Sequence, residues 1–312
     1  MSVVDRVVAG DVLALARAIS IVEENAAGSS ALLQGVFPHT GRANVIGVTG
    51  SPGAGKSSLV DRLVASFREQ GKRVGVVAVD PSSAYSGGAI LGDRVRMQGH
   101  ATDDGVFIRS MASRGHMGGL SRAASDAVDL MDAAGYDPVI VETVGVGQDE
   151  IEIARAADVV CVVLVPGMGD DIQAIKAGIL EIADVFVINK ADRPGADKVA
   201  AELDAMMALA PSSAPARPPV FRTIATTGEG VASLRDGLLA HVASAGAERR
   251  SQRRWERAEM RFLGVLTDRF LRDVRARLLP GDRFARTVDE IAERRLDPYT
   301  AAERVMREGG QR

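Results

Sequence analysis

Hydrophobic positions along the chain follow two alternating rhythms. Short apolar runs, rich in β-branched residues, occur at 45–49, 74–80, 138–142, 159–165, 185–188 and 220–224. Runs of that length read as strands buried on both faces, the habit of parallel sheets. Longer segments with helical spacing lie between them, as Leu59, Val60, Leu63, Val64 and Phe67 show after the first run. This alternation over 44–247 predicts an α/β fold with a doubly wound, mostly parallel sheet. The proline- and serine-rich stretch 211–219 reads as a surface loop within that domain, and no internal repeat is visible. Val7, Val8, Val12, Leu15, Ala16, Ile19 and Val22 recur at helical spacing. They predict a helix in an N-terminal extension, 1–43, broken at Gly28-Ser29-Ser30 and linked to the first strand through 38–41.

Residues 248–312 change character. They hold 17 arginines, no lysine and 12 acids, an excess of five positive charges. Trp255, Phe262, Val265, Leu266 and Phe270 share one helical face opposite the charged one. Aromatics and arginines are favoured at protein interfaces. The stretch is therefore read as a helical arm that pairs with a second copy or docks on its own domain.

The chemistry begins where the first strand ends. Gly50-Ser51-Pro52-Gly53-Ala54-Gly55-Lys56-Ser57, followed by Ser58, is a G-x-x-x-x-G-K-S phosphate loop between a predicted strand and helix, the context the motif requires. Its glycines let successive N–H groups turn inward, and the helix N-terminus adds partial positive charge. Lys56 is placed to reach the β- and γ-phosphates, and the Ser57 hydroxyl to ligate Mg²⁺. After the fifth strand comes Asn189-Lys190-Ala191-Asp192, an N-K-x-D motif. A carboxylate at Asp192 can accept from both N1–H and the exocyclic amine of guanine, whereas adenine would leave it unmatched. Asn189 would steady the loop, and the stem of Lys190 would cover the base. The last strand leads into Ile224-Ala225, where many GTP-binding domains carry Ser-Ala; the Ala225 N–H is the expected partner of guanine O6. GTP and GDP are thus the predicted ligands.

Elements that could sense the γ-phosphate lie between. Glu142 ends an apolar strand, where it could hold Mg²⁺ through water, and the Gly145 N–H could touch the γ-phosphate. Asp80 ends the second strand, at the edge where ligands bind in open parallel sheets. Asp93, on a glycine-rich loop, reaches the metal only if that loop folds over the nucleotide.

Long runs carry a resemblance to a known family: GSPGAGKSS at 50–58, DPSSAYSGGAILGDRVRM at 80–97, SRGHMGGLSRAASDAV at 113–128, VETVGVGQDE at 141–150 and VPGMGDDIQAIKAGILEIAD at 165–184. The chain resembles the MeaB/ArgK-type P-loop GTPases, the methylmalonyl-CoA mutase-associated G proteins. The resemblance spans essentially the whole chain. It implies a homodimeric G-protein chaperone that gates cofactor loading of an adenosylcobalamin-dependent acyl-CoA mutase and protects that enzyme. It also implies that Asp80, Asp93 and Glu142 are the Mg²⁺-linked acids, and that Gln173 and Lys176 belong to a third switch facing the mutase.

Composition bounds the rest. A net charge of −3 offers no electrostatic case for nucleic acid, despite the arginine-rich arm. No apolar run approaches the ~18–20 residues needed to span a bilayer, and the N-terminus lacks the pattern of a signal peptide, so the cytoplasm is the expected location. Cys161, inside an apolar run, reads as a core residue, and four scattered histidines form no metal cluster. Two other functions fit the phosphate loop: a kinase passing the γ-phosphate to another acceptor, and a dimeric scaffold in which hydrolysis is vestigial.

Overall fold

The computed structural model describes residues 1–81, 98–100, 102–113, 122–143, 156–167, 182–208, 217–244 and 247–309. Seven strands, all parallel, form one sheet in the order β3-β2-β4-β1-β5-β6-β7. They are β1 (Val45–Gly50), β2 (Val74–Pro81), β3 (Val106–Ser113), β4 (Val139–Thr143), β5 (Val159–Leu164), β6 (Val185–Asn189) and β7 (Val220–Thr223). β1, β4, β5 and β6 are buried along their whole length, which is why they are apolar except where β1, β4 and β6 carry polar residues at their C-terminal ends.

Alternate residues of each strand feed two cores. Val45, Val77, Val139, Val141, Val160, Val162 and Phe186 point to one face. Ile46, Val48, Val76, Ile140, Cys161, Val163, Val185 and Val187 point to the other, where they meet α4 (Lys56–Glu69) and α7 (Val231–Ser244). Burial pushes the Cys161 thiol up to about 12, so it is an inert core side chain.

The first face is covered by α5 (Arg122–Ala133), α6 (Ala196–Ala208) and the N-terminal helices. Instead of one helix, residues 3–36 form three: α1 (Val3–Val8), α2 (Val12–Glu23) and α3 (Ser29–Val36). Gly10, at φ 80°, breaks the first pair, and Asp11 caps α2 by accepting from the Ala14 N–H at 2.9 Å. Gly28 does not merely end a helix; it occupies the N-cap of α3 with φ 91°. Val7, Leu15, Ala18, Ile19 and Val22 enter the same core as the sheet residues.

β3 is a second departure from the sequence reading, which placed no strand there. It pairs with β2 alone at the sheet edge. Its interior carries Arg109, whose guanidinium donates to Glu23 at 2.5 Å, and an edge strand has no need of a continuous apolar run.

Below the sheet, Asp184 ties three elements together. It is 4% exposed and accepts from the Val160 N–H at 2.9 Å. It also pairs with Arg253 at 2.6 and 3.0 Å and lies 3.3 Å from His241 Nε2. Burial alone would raise its pKa, but the hydrogen bonds from His241 and Arg253, with the arginine charge and the Val160 N–H, lower it to about 2. A carboxylate whose folded pKa is lowered contributes stability that is present above its unfolded pKa and lost as pH falls toward the folded one. Asp184→Asn is therefore expected to cost about 2 kcal/mol at neutral pH. Urea unfolding should show that deficit steady above about pH 5 and shrinking between pH 4 and pH 2. A deficit independent of pH would contradict the assignment.

Two compact units divide the chain, residues 1–254 and 255–312. The second contains most of α8 (Ala247–Leu278), then α9 (Arg283–Ala292) and α10 (Pro298–Gly309). Within it, Arg275 stacks over the Phe284 ring at 4.6 Å, and Arg283 pairs with Glu308 at 2.6 Å. Trp255, Phe262, Leu266 and Phe270 are 59%, 65%, 50% and 51% exposed.

Candidate functional site: a nucleotide pocket at the C-terminal sheet edge

β1 is the central strand, and the chain leaves it for β2 on one side, returning later to β5 on the other. Ligands bind at such switch points, beyond the C-terminal ends of the strands. Residues 50–55 form the loop there. Gly50 has φ 138°, and a Cβ on it would lie 2.2 Å from the Val163 carbonyl oxygen, so no other residue fits. Gly55 (φ 86°) starts α4 without a side-chain cap, and a Cβ there would meet Asn189 Nδ2 at 2.6 Å. The first N–H groups of α4 are thus left to an anion. Ser51, Pro52, Gly53 and Ser58 are at least partly exposed around this opening, and Ala54 is fully buried beneath it.

Lys56 is 5% exposed and folds over the loop. Its Nζ donates to the carbonyls of Gly50 at 2.6 Å and Ser51 at 3.0 Å. The next residue, Ser57, donates its hydroxyl to Glu142 Oε1 at 2.6 Å, both groups being buried. Register explains the meeting, because Glu142 lies beside Val48 on β1 and Ala78 on β2, just inside the sheet edge. Thr143 Oγ1 donates to Thr49 Oγ1 at 3.0 Å and ties the ends of β4 and β1. A hydroxyl and a carboxylate oxygen are hard donors of the kind Mg²⁺ accepts. Asp80 sits two residues beyond Ala78 on β2, at the same edge. Among the described residues no cluster of three His, Cys, Asp or Glu forms a metal site of its own.

The base side is organised by Asn189, which is 1% exposed. Its Nδ2 donates to the Ala54 carbonyl at 2.9 Å. Its Oδ1 accepts from Thr223 Oγ1 at 3.2 Å and from the Ala225 N–H at 3.1 Å. One amide thus joins the phosphate loop, β6 and the loop after β7. Lys190 takes φ 54° and donates to the Gly53 carbonyl at 2.8 Å, which lays its stem along the phosphate loop. Asp192 is exposed, three residues beyond Asn189. At Ala225, the expected partner of guanine O6, the N–H donates to Asn189 Oδ1 and the residue is 5% exposed.

Asp93, Gly145, Gln173 and Lys176 lie outside the described residues, as does the side chain of Asp80. Thr223 and Arg62 escaped the sequence reading. Arg62 donates through Nε to the Ala225 carbonyl at 3.1 Å and through Nη2 to the Thr226 carbonyl at 2.9 Å. A single arginine on the polar face of an amphipathic helix carries no sequence signal for such a role.

Comparison with known proteins agrees with this geometry. Residues 15–278 match the family described as "Methylmalonyl Co-A mutase-associated GTPase MeaB". A relative from Pyrococcus abyssi, named as a GTPase, is 43% identical over 311 residues, covering 98% of this chain and 95% of its own. The GTPase ArgK of Escherichia coli is 46% identical over 187 residues, 59% of this chain and 56% of that one. The mouse methylmalonic aciduria type A homologue is 41% identical over 197 residues, 62% of this chain and 48% of its own. Among solved structures, that of an LAO/AO transport system kinase superposes with a TM-score of 0.71 at 28% identity, covering 99% of this chain and 97% of the other. A parallel sheet with a phosphate loop at its switch point, a guanine motif on β6 and this breadth of similarity lead to one conclusion: the chain belongs to the MeaB family, the methylmalonyl-CoA mutase-associated GTPases.

Proposed function

We propose that the chain is a Mg²⁺-dependent switch that binds an adenosylcobalamin-dependent acyl-CoA mutase, gates loading of its cofactor and protects it. The observation that carries the switch is the 2.6 Å bond between Ser57 and Glu142. It joins the helix that grips phosphate to the strand whose continuation, through Gly145, is suited to contact a γ-phosphate. Mg²⁺, when bound, would neutralise charge on the β- and γ-phosphate oxygens. Ser57 and Glu142 would hold it, with Asp80 and Asp93 completing the set. Lys56 and the N–H groups of residues 53–57 would stabilise charge developing as water attacks the γ-phosphorus. Loss of the phosphate would then release the segment after Glu142, a small local change of the kind that drives order-disorder switches.

Glu142→Gln keeps the shape and a possible bond to Ser57 but removes the charge. The Mg²⁺ concentration that half-saturates slowing of GDP release is expected to rise about tenfold or more. GDP binding in the presence of a chelator should change far less. Equal loss in both conditions would mean that Glu142 serves the fold rather than the metal.

The apolar residues exposed on α8 suit a homodimer. Gln173 and Lys176 are assigned to the surface that meets the mutase, following the family resemblance. No helix among the described residues is long and apolar enough to cross a membrane. The partner reading is tested by pull-down from native cell extract with GDP or a non-hydrolysable GTP analogue. Nucleotide-dependent recovery of an acyl-CoA mutase is the expected result, and recovery of none would refute it. A second reading, phosphoryl transfer to another acceptor, draws on the solved relative called a kinase. Labelled γ-phosphate appearing on anything but water would favour it.

A further inference from the structure

The phosphate grip and the loop after β7 are attached to one helix. α4 opens with Lys56 and Ser57 and carries Arg62 on its second turn, bonded to the carbonyls of Ala225 and Thr226. The loop begins as a tight turn, in which the N–H groups of Thr227 and Gly228 both donate to the Ile224 carbonyl, at 3.1 and 2.9 Å. The Ala225 N–H is held by Asn189. Thr226 and Thr227 are the exposed residues of this turn, and the Thr227 N–H already donates to the Ile224 carbonyl, which singles out that of Thr226. A trans peptide points its C=O and N–H in opposite directions, and the only cis bond among the described residues is Asp137–Pro138. A guanidinium that grips the Ala225 carbonyl therefore turns the Thr226 N–H away from α4. The second bond, to the Thr226 carbonyl, fixes the next peptide plane as well. This use of two donors in a rigid fork is open to arginine and not to lysine.

We propose that Arg62 is a positioning residue for base recognition: by holding the carbonyls of Ala225 and Thr226 it aims the Thr226 N–H at the six-position oxygen of guanine. The proposal rests on reading the 225–228 loop as one wall of the base site. Bonds from a charged donor to a carbonyl are stronger than neutral ones, so the turn has a defined orientation before the nucleotide arrives. Arg235 provides a separate attachment between the same helices, donating from α7 to Ser66 Oγ at 2.8 Å and to the Ser66 carbonyl at 3.2 Å. Removing the Arg62 fork thus reorients the turn without freeing α7 from α4.

Three diphosphates separate the possibilities when they compete with a fluorescent GDP for the full chain. GDP and 6-thio-GDP differ only at position six; GDP and IDP differ only in the two-amino group, which faces Asp192. In Arg62→Met, preference for GDP over 6-thio-GDP is expected to fall about three- to fivefold, the worth of one modest hydrogen bond. Preference for GDP over IDP should stay unchanged, the thermal midpoint should show the variant folded, and Arg62→Lys should lie between. Wild-type preference preserved in Arg62→Met overturns the role of Arg62. So does a parallel fall of both preferences, or equal weakening of all three ligands, since these report a structural effect only. A wild-type protein that does not distinguish GDP from 6-thio-GDP instead overturns the reading of the loop as a base wall, and the inference falls with it.

Discussion

Lys56→Ala is expected to lower single-turnover GTP hydrolysis by at least about a hundredfold, the usual cost of losing one preorganised charge-stabilising donor. The ammonium lies over the phosphate loop, held by the carbonyls of Gly50 and Ser51. A neutral carbonyl holds an ammonium less strongly than a phosphate oxygen does, so the lysine can move onto a phosphate that enters. Alanine removes the one side-chain cation on the loop 50–57. The loop itself should persist, because Gly50 and Gly55 fix its course and Asn189 holds Ala54 from the other side. Circular dichroism and the thermal midpoint should therefore change little while hydrolysis is lost. Unfolding of the variant, or hydrolysis within tenfold of wild type, would contradict this account of Lys56.

Asp192→Asn is expected to exchange the base. Guanine offers two adjacent donors, N1–H and the two-amino group, to the carboxylate. An amide presents one acceptor and one donor, which suits xanthine, whose two-position is a carbonyl. GTP affinity should fall about a hundredfold or more, since a site built around a substrate hydrogen bond rejects the unmatched partner strongly. XTP should become the better ligand. Asp192 is exposed and outside the hydrogen-bond set that holds Asn189, so the substitution leaves the frame of the site intact. Competition of GTP and XTP for the variant decides the matter. An undiminished GTP preference would remove Asp192 from base recognition.

The parts of this site that were legible in the sequence are those whose chemistry is contiguous. Residues 50–57 gather three glycines, a lysine and two serines, residues 189–192 an asparagine, a lysine and an acid, each in one short stretch at the end of a buried strand whose valines announce it. β3 was missed because an edge strand buries less, and Arg109 and Ser110 interrupt its apolar run. The division of the N-terminal segment was written in Gly10-Asp11, a left-handed glycine before an N-capping acid, but the periodicity of the flanking apolar residues runs across it. Arg62, Thr223, Asp184 and Arg253 act across long sequence separations, and nothing local distinguishes them from surface polar residues. The bond from the Ala225 N–H to Asn189 was hidden for a related reason. Which amide of a turn is free depends on what Asn189, 36 residues away, has already accepted.

The central claim is that an acyl-CoA mutase reads the nucleotide state of this chain. Single-turnover GTP hydrolysis, measured with and without a saturating adenosylcobalamin-dependent methylmalonyl-CoA mutase, tests it most directly. Slow hydrolysis alone and a clear acceleration by the mutase are predicted, with no acceleration of Lys56→Ala. An identical rate with and without the partner would contradict the claim.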